Sequence, residues 1–189
     1  MVNTLTNAME NLHKKEKLEY MNQILSGLYI KDSMTGLYNR MGYQKLSESY
    51  FSIMREKKIP VLVMFVDLDR LKYINDTFGH EYGDFAIVSI AKAMQKHCDA
   101  DAITARTGGD EFIVLESAKD EEAGMLLADK IRAELSALRK KMQLPFDLSA
   151  SIGVVVAQPG GENALESYVK RAEMLMYEEK TEKKVSRDS

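Results

Sequence analysis

Apolar positions along this chain follow two rhythms. From Pro60 to Val66 they are continuous (Pro-Val-Leu-Val-Met-Phe-Val), which predicts a strand buried on both faces. Shorter apolar runs at Ala102–Ala105 and Phe112–Leu115 flank a turn that needs its two glycines, Gly108 and Gly109, and predict a hairpin. Leu148–Val156 predicts a further strand. Elsewhere the spacing is three and four. Tyr43, Leu46, Tyr50 and Ile53 mark one helix, Ile87, Ile90, Ala91 and Met94 a second, and Leu127, Ile131, Leu135, Leu138 and Met142 a third. Leu165, Tyr168, Ala172 and Leu175 mark a fourth. A short helix is expected around Arg70–Asn75, and Gly79–Gly83 reads as a loop with Asp84 capping the helix after it. Lys31–Asn39 has turn chemistry. The charged run from Glu178 onward is expected to fray, with residues 185–189 as a disordered tail.

Residues 4–28 carry a narrower stripe: Leu5, Met9 and Leu12, then Leu18, Met21, Leu25 and Leu28, interrupted by Lys14-Lys15-Glu16-Lys17. Such a stripe suits a two-stranded coiled coil and equally a helix lying back on its own domain. The order is then helix, strand, helices, hairpin, helix, strand, helix. A tight hairpin cannot join parallel strands, so the class is α+β, with a central, mostly antiparallel sheet flanked by helices. The expected organisation is a signalling or dimerisation helix over residues 1–30 and one domain over 31–184.

Composition narrows the partners more than the fold. In 189 residues, 45% are apolar and 29% charged, ordinary for a folded domain with a proper core. A net charge of −3 supplies no basic field for a nucleic-acid polymer or an anionic membrane, so any phosphate contact must be local. The single cysteine, Cys98, precludes an intrachain disulfide and fits a reducing, cytoplasmic home. No run approaches the ~20 apolar residues of a membrane span.

Candidate chemistry gathers at four acids. Asp67 and Asp69 end the strongest strand, and Asp110-Glu111 follow the glycine pair directly. Asp69 reads most plainly as a cap of the next helix, whereas Asp67 continues a buried run and needs a partner for its charge. If the two chain ends lie side by side, Asp67, Asp110 and the Leu68 carbonyl make an oxygen cage suited to Mg²⁺. Asn75, His80 and Asp84 put an amide, an imidazole and a carboxylate around one loop. Singly they read as a C-cap, an exposed loop histidine and an N-cap; together an amide and a carboxylate can read the edge of guanine.

These residues sit in a series of motifs: Asp32-Ser-Met-Thr-Gly-Leu-Tyr-Asn-Arg40, Phe65-Val-Asp-Leu-Asp69, Lys72-Tyr-Ile-Asn-Asp76, Gly79-His80 with Gly83-Asp84, and Arg106-Thr-Gly-Gly-Asp-Glu-Phe112. Ser151-Ile-Gly153 and the stretch from Ala172 through Tyr177 to Lys180 complete it. In order and spacing the series resembles the GGDEF domain, the diguanylate cyclase family. The resemblance implies a fold related to class III nucleotide cyclases and the polymerase palm. It implies a nucleotidyltransferase that condenses two GTP into cyclic di-GMP, a bacterial second messenger, releasing two pyrophosphates. Carried over residue by residue, it implies metal ligation (Mg²⁺ or Mn²⁺) by Asp67, Asp110 and the Leu68 carbonyl, with Asp110 also the base for the ribose 3′-hydroxyl and Glu111 accessory. Asn75 and Asp84 would hold guanine, His80 would lie against the nucleotide, and Lys72, Lys180 and Lys184 would reach the phosphates. Each domain would present one GTP, so a homodimer is implied, with residues 1–30 as its stalk and a sensor domain outside this chain. An Arg-x-x-Asp product-inhibition motif is replaced here by Asp99-Ala-Asp-Ala102, the usual closing Gly-Arg by Lys183-Lys184, and a usual Asp by Glu173. The alternative is a catalytically silent module of the same family that binds nucleotide and regulates a partner. A palm-like polymerase fragment is disfavoured by the net acidity.

Overall fold

The computed structural model describes residues 29–161 and 163–188, together with positions 13 and 17. The expected stalk, residues 4–28, lies outside this set apart from those two positions. Chain order is α1 (Arg40–Glu56), β1 (Val61–Leu68), α2 (Leu71–Phe78), α3 (His80–His97), β2 (Ile103–Arg106), β3 (Glu111–Ser117), α4 (Glu121–Met142), β4 (Ala150–Ala157) and α5 (Leu165–Asp188). The strands form one sheet in the order β2-β3-β1-β4. Its three pairings are all antiparallel. Tyr38 lies alongside the outer edge of β2, donating its N–H to Thr104 O and accepting from Arg106 N.

β1 is the centre of the molecule. All eight of its residues are buried, and the period of two divides them between two cores. Leu62, Met64, Val66 and Leu68 pack against α2, α3 and α4, with Ile74, Ile90, Met94, Ile131 and Leu135. Val61, Val63 and Phe65 pack on the other face against Phe51 and Met54 of α1 and Leu165, Ala172 and Met176 of α5. Helices therefore cover both faces, which is why the run reads as unbroken hydrophobicity. α5 comes unusually close to the sheet at Gly153 of β4, where an added Cβ would overlap the carbonyl oxygen of Ala172. Only glycine permits that approach, and it brings the last turns of α5 within side-chain reach of the ends of β1 and β4.

The α+β class and the antiparallel sheet agree with the sequence expectation; several details do not. The α5 stripe turns through Met176, whereas Leu175 is 37% exposed. Ile53 and Met142, expected to face inward, are exposed, and α1 buries Phe51 and Met54 instead. Asp84 is not a cap: Gly79 holds that position and His80 already begins α3. Asn75 is not a C-cap, because α2 runs on to Phe78. Glu178–Lys184 is ordered helix rather than a frayed run, because its charged side chains are tied to the sheet. Neither Gly108 nor Gly109 takes a left-handed backbone, so the turn between β2 and β3 is not built on positive φ.

Candidate functional site

Strand parity places the first acid. Continuing the series 61, 63, 65, Asp67 faces the α5 side, and there Lys180 Nζ donates to Asp67 Oδ1 at 2.7 Å. Asp67 is only 5% exposed, opposite Glu111 of β3 and Ser151 of β4 in the ladder. One rung further, Leu68 N–H donates to the carbonyl of Asp110 at 2.9 Å. The two acid-bearing chain ends therefore do lie side by side. Burial pushes the Asp67 carboxyl above the ordinary carboxylate range; Lys180 counteracts this, and the negative charges of Asp110 and Asp69 add to it. Burial works against the Lys180 ammonium too, but the Asp67 carboxylate holds its pKa above the usual lysine value.

Asp69, expected as a helix cap, is something else. Arg70 occupies the cap position of α2, and the Asp69 carboxylate turns inward toward β4. Ser149 Oγ and Ser151 Oγ each donate to it at 2.7 Å, and Lys183 Nζ lies 3.2 Å from Oδ2. Burial alone would raise this carboxyl; the two hydroxyls and the Lys183 ammonium outweigh it and hold Asp69 below the usual range. Lys183 also donates to the Ala150 carbonyl at 2.7 Å and pairs with Glu179 at 2.7 Å. Glu179 accepts from Ile152 N at 3.0 Å and from Arg132 of α4 at 2.8 Å. The network ties α5 and α4 to the ends of β1 and β4. Sequence reasoning missed it; the available signal was Ser149-Ala-Ser151, two hydroxyls on one face of a strand entering opposite an acid.

Arg106 explains the turn that glycine geometry does not. Its Nη2 and Nε donate to Gly109 O at 2.8 and 3.2 Å, and its Nη1 lies 3.4 Å from both oxygens of Asp32. Asp32 in turn accepts from the Thr35 amide at 2.9 Å and hydroxyl at 2.6 Å. Burial opposes the Asp32 charge, but Thr35 and then Arg106 leave its carboxyl below the usual range. The Asp32–Thr35 turn thus braces the segment that presents Asp110.

Two clefts meet at Lys180. One, of about 500 Å³, is lined by Arg70, Lys72, Asp110, Lys180 and Lys184, beside Asp69 and Leu71. The other, of about 470 Å³, is lined by Asp67, Glu111, Lys180 and residues of α5 that include Glu173, Met174 and Tyr177. Lys72, Asp110, Lys180 and Lys184, singled out separately in sequence, therefore share one cleft. Asn75, His80 and Asp84 do not line either; they lie at the junction of α2 and α3. The Asn75 amide sits against Gly83, where a Cβ would overlap Oδ1, while His80 and Asp84 are exposed on the first turns of α3. Arg70 adopts a left-handed backbone (φ 61, ψ 30), which costs a non-glycine residue about 1–2 kcal/mol and is a mark of functional sites. Its guanidinium carbon lies 3.9 Å over the Tyr73 ring.

Among the described residues no cluster of three or more His, Cys, Asp or Glu side chains could hold a metal ion. Asp69, never part of the expected cage, is taken up by its two serines. What remains, two carboxylates and a nearby main-chain carbonyl, is a hard-oxygen set of the size that Mg²⁺ takes when phosphates and water complete its shell. The donor types suit such an ion, which would have to share the Asp67 carboxylate with Lys180. No helix among the described residues is long and apolar enough to cross a membrane.

Comparison with known proteins gives a consistent picture. The family model described as "Diguanylate cyclase, GGDEF domain" matches residues 29–186. The probable diguanylate cyclase DgcC of Escherichia coli K12 is 30% identical over 164 residues, 87% of this chain and 44% of that protein. Diguanylate cyclase VdcA of Vibrio cholerae serotype O1 is 35% identical over 154 residues, 79% of this chain and 43% of that protein. The chain thus spans less than half of each of these two relatives. Among solved structures, the coiled coil and GGDEF domain of DgcB from Caulobacter crescentus, in complex with c-di-GMP, superposes with a TM-score of 0.78. It is 23% identical and 93% of each chain is covered, which establishes the shared palm-like fold.

Proposed function

The chain belongs to the diguanylate cyclase GGDEF family, and from that premise we propose that it condenses two GTP into cyclic di-GMP, releasing two pyrophosphates, in a Mg²⁺-dependent reaction shared between two copies. The observation that carries this reading is the convergence of Asp67, Glu111 and Lys180 with Asp110, Lys72 and Lys184 on adjoining clefts at one end of the sheet. A silent module has no need to keep three carboxylates and three lysines there.

Asp67, Asp110 and the Leu68 carbonyl are the residues that would hold the ion. Bound there, it would neutralise phosphate charge and acidify the attacking ribose 3′-hydroxyl, which a carboxylate, a weak base, cannot deprotonate efficiently alone. Asp110 accepts the proton as the 3′-oxygen bonds to the α-phosphorus of the GTP on the partner copy; the bond to the bridging oxygen breaks and pyrophosphate leaves. Lys72, Lys180 and Lys184 balance the phosphate charge as it shifts to the leaving group, a preorganised electrostatic contribution. Glu111, across the ladder from Asp67, supports the acidic end. Asn75 and Asp84 hold guanine at the α2–α3 junction, and His80 lies against the nucleotide. Residues 4–28, pairing as a coiled coil, would raise the local concentration of one domain about the other.

Incubating the purified chain with GTP and Mg²⁺ across a range of protein concentrations, with cyclic di-GMP read by mass spectrometry, tests this directly. Product should appear and rise faster than linearly with protein. GTP bound at high concentration without product would overturn the cyclase reading in favour of a nucleotide-binding regulatory module.

A further inference from the structure

The cations around the active-site cleft differ in what holds them. Lys180 is committed to Asp67 and Lys183 to Asp69 and Glu179. Among the described residues no carboxylate pairs with Arg70. It is held by an aromatic face, 3.9 Å from guanidinium carbon to the centre of the Tyr73 ring. That contact occupies the flat face of the guanidinium and leaves its in-plane N–H edge free. The ring beneath it is itself fixed. Tyr73 meets Phe78 edge-on at 5.9 Å, and Phe78 packs on Phe146 at 5.4 Å and on Tyr82 at 6.2 Å. The left-handed backbone at Arg70 is the second anomaly, because helix caps ordinarily take an extended conformation and supply a side-chain acceptor, and Arg70 does neither.

A cation without a carboxylate, with its planar donor edge free, on a rigid ring at the wall of a cleft that also holds Lys72 and Lys184, is arranged for a doubly charged oxyanion. We propose that Arg70 is a polyphosphate-recognising residue whose guanidinium, seated on Tyr73, grips the outer phosphates of the bound nucleotide and sets a preference for triphosphate over monophosphate. This rests on the reading of the cleft as the GTP site. Lysine cannot reproduce it, since an ammonium offers neither a stacking plane nor a two-pronged donor edge.

The test is calorimetric titration in Mg²⁺ with a GTP analogue whose α–β bridging oxygen is a methylene, and separately with GMP. Arg70→Ala should weaken the analogue about tenfold, the loss of one charge-assisted pair of hydrogen bonds, while GMP affinity stays within about twofold. Arg70→Lys should restore only part of the loss, and Tyr73→Leu, which keeps the cation and removes its seat, should fall between wild type and Arg70→Ala. An Arg70→Ala protein that binds the analogue as tightly as wild type, or loses GMP equally, overturns the proposal. Wild-type protein that binds neither nucleotide overturns the proposed function and this inference with it.

Discussion

Asp67 and Asp69 are two residues apart, both nearly inaccessible, and each carries a lysine of α5. Their surroundings are otherwise opposite. Asp69 has two serine hydroxyls and Lys183, and its carboxyl is held below the usual range. Asp67 has Lys180 alone, feels the negative charge of Asp110, and its carboxyl is pushed up by burial. A buried charge with a full set of partners stabilises a fold; one left short of partners is a cost that only a ligand relieves. Both carboxylates turn toward α5, as residues two apart at a strand end do, so it is their partners and not the strand's alternation that make Asp69 scaffold and, on the proposed reading, Asp67 site.

This contrast can be broken most sharply at the site. On the proposed mechanism Asp110→Ala removes a metal ligand and the proton acceptor together, so it should lower turnover at least about 1000-fold, yet leave chemical denaturation within about 1 kcal/mol of wild type. Turnover above a tenth of wild type would remove Asp110 from the chemistry. On the scaffold side the weights reverse. Asp69→Ala strands Lys183 and two hydroxyls in a buried network and should cost about 3 kcal/mol, a fall of roughly 10 °C in Tm for a domain of this size. A Tm within 2 °C of wild type would mean that Asp69 holds nothing together.

The smallest effect is in pH. Asp69, lower in the folded chain than in the unfolded one, contributes stability at neutral pH that is lost as pH falls below about 4 and through its folded value. Asp69→Asn should therefore flatten the acid limb of a stability profile taken without divalent ions. Asp67 has the opposite sign: its raised carboxyl makes the folded state gain on protonation, so Asp67→Asn should stabilise at pH 7 by less than about 1 kcal/mol. Matching acid limbs in the two variants would erase the distinction between the two carboxylates.

How far the sequence was legible follows the same physics. The β1 run was unmistakable because both of its faces are buried, and the hairpin because its strands are bracketed by polar residues. Helical phase was harder. Leu175 and Met176 are adjacent and both apolar, and only the contact of α5 with Gly153 decides that Met176 turns inward. The break between α2 and α3 is a single residue, Gly79, too brief to be distinguished from the loop that Gly79–Gly83 suggested. Of the site, the acids and lysines were readable from their motifs. The bracing by Arg106 and the Ser149–Ser151–Lys183–Glu179 network were not, because those residues are far apart in sequence and become neighbours only across the sheet.

β4 is an edge strand of the sheet, and its sequence, Ala-Ser-Ile-Gly-Val-Val-Val-Ala, is apolar and β-branched, the composition that recruits further strands when an edge is left open. At its site end the outward Ile152 amide is taken by Glu179 and the Ala150 carbonyl by Lys183. The same two side chains that lock α5 onto the sheet thus plug its hydrogen-bonding rim. Guarding against edge-to-edge aggregation and keeping the lysines of α5 in register with Asp67 and Asp69 are, in this protein, one constraint on the same pair of residues.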